Sequence, residues 1–310
     1  MIQPSGILLV NKPAGITSNN LIQKIKHKLN IKKIGHAGTL DPLATGLMVI
    51  LVNQATKISN YLLTKDKAYE VVMQLFIKTD SDDITGAMIE QEVAQKLRKR
   101  DIKLIIDKYN GYMYEQLPPI FSAIKVNGVR AYKHAFEGTA DTLVLSPRTV
   151  TINSCKLINY DSKNNTITLT VKCSKGTYIR SLVNDIANDL GTIATVKELN
   201  RISSGEFLLE QAKTIEEIQN SDLISIYDAL MTNSQVIVKY HNDRDVKQGK
   251  TINLLNQIAP VVFIADNKNN IIAIYTHTAK NLYVCKRGLW EDDPSIIKTE
   301  AESDDYQWNI

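Results

Sequence analysis

The chain has 310 residues, 44% apolar and 23% charged, with a net charge of +4, ordinary values for a soluble globular protein of about two domains with a core of its own. Three widely spaced cysteines (Cys155, Cys173, Cys285) with no Cys-x-x-Cys exclude a disulfide scaffold and disfavour a zinc ribbon. The first thirty residues carry no secretory pattern, and no segment reaches the roughly 18 apolar residues of a membrane span, so the expected location is a reducing cytoplasm.

Residues 6–10 read as a short strand ended by Asn11-Lys12-Pro13. Residues 18–29 read as an amphipathic helix, with Ser18 as its N-cap, Leu21, Ile22, Ile25 and Leu29 on one face, and Lys24, His27 and Lys28 off it. Residues 35–46 are a loop with three glycines and Pro42, and the fully apolar run 47–52 is a buried strand. Residues 68–76 alternate and end near an acidic turn at 79–86; residues 90–110 read as a charged helix. Pro118-Pro119 makes the start of 116–128 a loop. Residues 166–173 alternate as a half-buried strand, Ile167, Leu169, Val171 and Cys173 on one face. The helix 178–190 follows, stopped by Gly191.

Beyond residue 232 the pattern changes to short strand-like runs at 235–239, 261–265, 271–275 and 281–285. The expected organisation is therefore 1–231, a small β-rich domain at 232–290, and an acidic, disordered tail at 291–310. Strands and helices mix without βαβ regularity, so the fold class is α+β rather than a doubly wound sheet. Charge is uneven: residues 1–60 hold seven lysines and one acid, Asp41, whereas 291–310 hold seven acids against Lys298. A basic end suits a polyanionic partner, and the plain alternative is a solvated helix face.

The segment that carries chemistry is Gly35-His36-Ala37-Gly38-Thr39-Leu40-Asp41-Pro42-Leu43-Ala44-Thr45-Gly46. It lacks Gly-Lys-Ser/Thr, so it is no P-loop; no second histidine stands at metal spacing; no Gly-x-Ser-x-Gly elbow occurs. What remains is a lone carboxylate acting as nucleophile or base, weighed against an Asp-Pro turn with no chemical role. Pro42 biases Asp41 toward extended backbone, and the glycines permit tight turns.

GHAGTLDPLATG resembles the catalytic motif of the TruB family, the bacterial tRNA pseudouridine-55 synthases. Residues 6–17 (GILLVNKPAGIT), Lys67-Ala68-Tyr69-Glu70, residues 118–128 with Arg130-Ala131-Tyr132, Gly176-Thr177-Tyr178-Ile179-Arg180-Ser181 and Glu198-Leu199-Asn200-Arg201 resemble further motifs of that family in the same order. Asn200 departs from it, since a basic residue is usual there. The resemblance implies a mainly antiparallel sheet flanked by helices, with a small PUA-like RNA-binding domain at 232–290. It implies isomerisation of uridine 55 in the T-loop of tRNA, by extrusion of the base, glycosidic cleavage and reattachment through C5. By the same resemblance the catalytic residues are Asp41, the essential carboxylate, Arg180, the cation that keeps it ionised and orients it, and Tyr69, a ring that stacks on the target base and assists proton transfer at C5. Lys12, His36, Tyr178 and Leu199 are substrate-binding, with His36 as the wedge that fills the vacated stack. No metal, cofactor, membrane or protein partner is implied; the partner is the T-arm stem-loop, and the enzyme is a monomer.

Two other readings stand beside this one. One is a tRNA-binding folding factor for which chemistry is secondary; Asp41, Tyr69 and Arg180 together speak against a pure binder. The other is a guide-RNA-dependent synthase working in a multi-protein particle; the insert-like region 90–141 and the short C-terminal domain resemble the stand-alone type instead.

Overall fold

The computed structural model describes residues 4–290 except 64, 123, 127–128 and 131–144; the acidic tail and Ala131-Tyr132 lie outside the described residues. In chain order the main elements are β1 (Gly6–Lys12), α1 (Ser18–Lys28), β2 (Ile34–His36), β3 (Thr45–Val52), β4 (Lys67–Leu75), α2 (Lys99–Lys108), β5 (Tyr112–Gln116), β6 (Arg148–Asp161), β7 (Thr166–Cys173), α3 (Ile179–Asp189) and β8 (Ala194–Ser204). They continue with α4 (Ile226–Thr232), β9 (Ile237–Lys239), α5 (Asp243–Lys247), β10 (Ile252–Asn253), β11 (Val261–Ala265), β12 (Ile271–Ala279) and β13 (Leu282–Gly288). Among the described residues no helix is long and apolar enough to cross a membrane. By their contacts, 4–42, 46–65 and 203–290 form one compact unit, and 43–45 with 66–202 form a second.

In the first unit β1 and β3 pair antiparallel from Gly6 opposite Val52 to Lys12 opposite Gly46, and β2 pairs with the far end of β3. Gly6 is required by a close approach: a Cβ there would lie 2.5 Å from the carbonyl oxygen of Ile224, whose strand-like bridge to Ile7 closes this edge. Helix α1 buries Leu21, Ile22 and Ile25. The C-terminal sheet runs β9-β11-β12-β13-β10, with β9 parallel to β11 and the other pairs antiparallel. Its strand β11 is apolar throughout because both faces are covered. Phe263 and Ala265 join a core with Ile7, Leu9, Leu47, Val49 and Leu51, while Val262 and Ile264 pack with Val246, Ile252, Tyr275 and Tyr283.

In the second unit the strand order is β8-β4-β7-β6-β5. β4, β7, β6 and β5 pair antiparallel in sequence along that order. The alternation expected for 166–173 is found, with Ile167, Leu169, Val171 and Cys173 all buried. Helix α3 buries Ile179, Leu182, Val183 and Ile186, as its spacing predicts.

Two local expectations are corrected. The helix expected over 90–110 is only Lys99–Lys108, because the apolar pair at helical spacing, Ile102 and Ile106, begins there; upstream, Met88–Gln91 is extended and pairs with Ile77–Thr79. Ser18 is not the N-cap of α1. Thr17 is, its Oγ1 accepting from the Asn20 N–H at 3.0 Å.

Candidate functional site

The backbone on either side of Asp41 is fixed by side chains from other elements. On the N-terminal side, the hydroxyl of buried Ser18 donates to the Leu40 carbonyl at 2.8 Å and accepts from the Leu40 N–H at 2.9 Å. On the C-terminal side, the Pro42 carbonyl accepts from the Gly15 N–H at 2.8 Å and from Lys12 Nζ at 3.2 Å. Lys12 is fully buried, and its ammonium also donates to the carbonyls of Pro13 (2.9 Å) and Ile16 (2.8 Å). Those carbonyls give the buried ammonium charge-assisted partners, as burial of a charge requires. Lys12 is thus brought to Asp41 through Pro42, and its position at the end of β1, opposite Gly46, puts it there. Asp41 itself is half-buried. Gly38 holds a φ of 113°, a conformation that side-chain-bearing residues rarely adopt, so the loop needs glycine there. Gly35 differs: it sits in β2 opposite Leu51, without a positive φ. His36 ends β2 opposite Ile50 and is half-buried, five residues before the carboxylate.

The other expected residues belong to the second unit. Tyr69 lies in β4 opposite Val171 and is buried, on the same face as Lys67, Val71 and Met73. Leu199 is buried on β8, which neighbours β4. Asn200, where a basic residue was expected, accepts a hydrogen bond from Thr45 Oγ1 at 3.2 Å, so its amide has a local structural partner.

Arg180 is more buried than its place on the helix suggests. It sits in the first turn of α3, where the helical pattern places it off the apolar face, yet it is only 4% exposed. Its Nη1 donates to the Ser81 carbonyl and its Nη2 to the Phe121 carbonyl, both at 2.8 Å. The adjoining Asp82 carboxyl is pushed up by burial. The Asn184 side chain (2.7 Å) and the positive charge of Arg180 act against that shift. Tyr178 stands at the N-cap position with its peptide held by Gln116: its N–H donates to Gln116 Oε1 at 2.8 Å, and its carbonyl accepts from Nε2 at 3.1 Å.

Sequence reasoning missed Ser18 as a loop anchor, and Gln116, Ser81 and Phe121 as anchors of the α3 start. It also missed two buried cations, Lys67 and Arg201. The tandem Thr17-Ser18 carried a usable signal, since only one of two successive hydroxyls serves as N-cap. Burial, and next the nearby Arg201 charge, pull Lys67 down to about 8 from 10.5. The unfolded chain therefore binds more protons than the folded one between about pH 8 and 10.5, and stability contributed at this position rises with pH across that window. Urea unfolding from pH 7.5 to 10 is expected to show wild type gaining up to roughly 3 kcal/mol relative to Lys67→Met. Parallel pH profiles of the two proteins would contradict the assignment.

A family model described as TruB family pseudouridylate synthase (N terminal domain) matches residues 26–179. The chain is 50% identical over 292 residues to a tRNA pseudouridine synthase B of Mycoplasma capricolum subsp. capricolum, covering 94% of this chain and 99% of that protein. It is 34% identical over 290 residues to the tRNA pseudouridine synthase B of a Bacillus cereus strain, covering 89% and 94%. Among solved structures, a chain in the crystal structure of a Cbf5-Nop10-Gar1 complex superposes with a TM-score of 0.69. That chain is 21% identical, with 92% of this chain and 85% of that one covered, a likeness of fold.

Proposed function

The chain belongs to the TruB family of pseudouridylate synthases, and from that premise we propose that it converts uridine 55 in the T-loop of tRNA to pseudouridine with Asp41 as the essential carboxylate. It is a tRNA pseudouridine synthase, an isomerase. The reaction breaks the N1–C1′ bond, joins C1′ to C5 of the same base, releases the C5 proton and returns a proton to N1. Substrate and product are isomers, so no redox partner or co-substrate enters the balance.

The observation that carries the role of Asp41 is the double anchoring of its neighbours, Leu40 by Ser18 and Pro42 by Lys12 and Gly15. A carboxylate needed only for a turn has no use for a buried ammonium and a buried hydroxyl on its flanks. Preorganisation of this kind holds a reacting group within reach of its target. Asp41 acts ionised, by attack on C1′, by attack on the base, or by removing a sugar proton; Arg180 favours the ionised form. Tyr69 stacks on the base, Leu199 and Tyr178 wall the pocket, and Lys12 supports the loop. Extruding a nucleotide costs roughly a few kcal/mol, which His36 offsets by filling the vacated stack. Recognition follows the shape of the loop and its unstacked bases rather than a duplex sequence.

In this reading residues 1–231 form the catalytic domain and 232–290 a PUA-like domain that adds RNA contacts. The protein acts in the cytoplasm as a monomer, without cofactor, guide RNA or protein partner. The experiment is position mapping: unmodified tRNA incubated with the purified chain is treated with carbodiimide and read by primer extension. The expected result is one new stop, at position 55. Stops elsewhere, or none, would overturn the site assignment.

A further inference from the structure

We infer that Ser18 is a positioning residue for the reaction, acting on Asp41 through the Leu40 peptide; this rests on the catalytic role proposed for Asp41. The argument begins with an apparent redundancy. Helix α1 already has its cap, because Thr17 Oγ1 takes the Asn20 N–H at 3.0 Å. A second hydroxyl in the first turn is unnecessary for the helix, and serine is an indifferent helix former. Ser18 is nevertheless 3% exposed and Leu40 4% exposed, so neither exchanges its partner for water.

The hydroxyl makes two bonds to one residue. It donates to the Leu40 carbonyl at 2.8 Å and accepts from the Leu40 N–H at 2.9 Å. A single bond leaves a peptide free to swing about it. Two bonds, one to each backbone polar group of the same residue, fix both position and orientation, as a neighbouring strand would. The residue so fixed directly precedes Asp41, and the Leu40 carbonyl belongs to the peptide plane that leads into the Asp41 nitrogen. Across the carboxylate, Pro42 is held by Gly15 and Lys12. Asp41 is thus suspended between two fixed points, one of which is a single hydroxyl. Loss of that hydroxyl leaves two buried backbone groups without it, and the loop must shift to satisfy them.

The test compares Ser18→Ala with Thr17→Ala, which weakens the same helix through its cap and leaves the Leu40 bonds in place. Three quantities are read: thermal stability, amide hydrogen exchange at Leu40, and single-turnover tritium release from a T-arm stem-loop carrying 5-³H-uridine. Both variants are expected to lose comparable stability. Only Ser18→Ala is expected to exchange faster at Leu40 and to slow chemistry, by roughly 10- to 100-fold at unchanged Kd, the scale of a sub-ångström to 1 Å misplacement. Ser18→Cys, which keeps the size with a weaker donor and acceptor, is expected to fall between wild type and Ala.

Equal slowing in Thr17→Ala and Ser18→Ala would reduce Ser18 to a structural role and overturn the inference. So would faster Leu40 exchange with the rate within twofold of wild type. A wild-type protein that releases no tritium would overturn the reading of Asp41 itself, and the positioning role with it; the Leu40 exchange data separate that failure from a missing clamp.

Discussion

Asp41→Asn is expected to lose pseudouridine formation by roughly four orders of magnitude or more, the scale seen when the group that does the chemistry is removed. Asparagine matches aspartate in shape and keeps a carbonyl oxygen, so what changes is the charge and the ability to attack or accept a proton. The anchors of this loop are backbone groups of Leu40 and Pro42, which the substitution leaves intact. Thermal stability should therefore stay close to wild type. Removing a negative charge from a surface that meets a polyanion does not weaken binding, so the stem-loop Kd should be equal or lower. Nucleoside analysis of the product by liquid chromatography reads the chemistry, and filter binding reads the affinity. Substantial pseudouridine from Asp41→Asn would remove the carboxylate from the mechanism.

Arg180→Ala should cost both fold and activity. The guanidinium reaches the Ser81 and Phe121 carbonyls at 2.8 Å from a side chain that is almost wholly buried. Each carbonyl loses a charge-assisted donor, and Asp82 loses an opposing charge, so its carboxyl rises further above its ordinary range. A loss of about 3 kcal/mol is expected, with no measurable turnover. Arg180→Lys separates the two effects. A lysine keeps the charge, but its compact ammonium lacks the planar fork whose two separated nitrogens, Nη1 and Nη2, each meet one carbonyl. Its stability should recover in part, while kcat/KM stays down by roughly 100-fold. Wild-type turnover in Arg180→Lys would show that charge alone suffices and that the two-carbonyl geometry is dispensable.

The elements that local patterning specifies were legible from the residues. Strand Thr166–Cys173 was readable to the residue because its apolar side chains alternate and one face is buried. Helix Ser18–Lys28 and strand Val261–Ala265 were close to their expected bounds for the same kind of reason. What escaped depends on partners far along the chain. Arg180 is off the apolar face of its helix, and it is buried because the carbonyls of Ser81, 99 residues before it, and Phe121, 59 residues before it, come to cover it. Gln116 embraces the Tyr178 peptide across 62 residues, and Ser18 holds Leu40 across 22. No periodicity encodes such bonds. The candidate site residues, Lys12 among them, were named from motifs, and the hydrogen bonds that hold their backbone emerge only from the structure.

The most direct test of the account is tritium release by the purified wild-type chain, alone, from a bare T-arm stem-loop carrying 5-³H-uridine at position 55. Forming pseudouridine must expel the C5 hydrogen, so release reports chemistry and not binding. The account predicts release of one tritium per stem-loop with no added cofactor, guide RNA or protein. Tight binding of the stem-loop without release would contradict it, and would favour a tRNA-binding folding factor or a synthase that needs a partner.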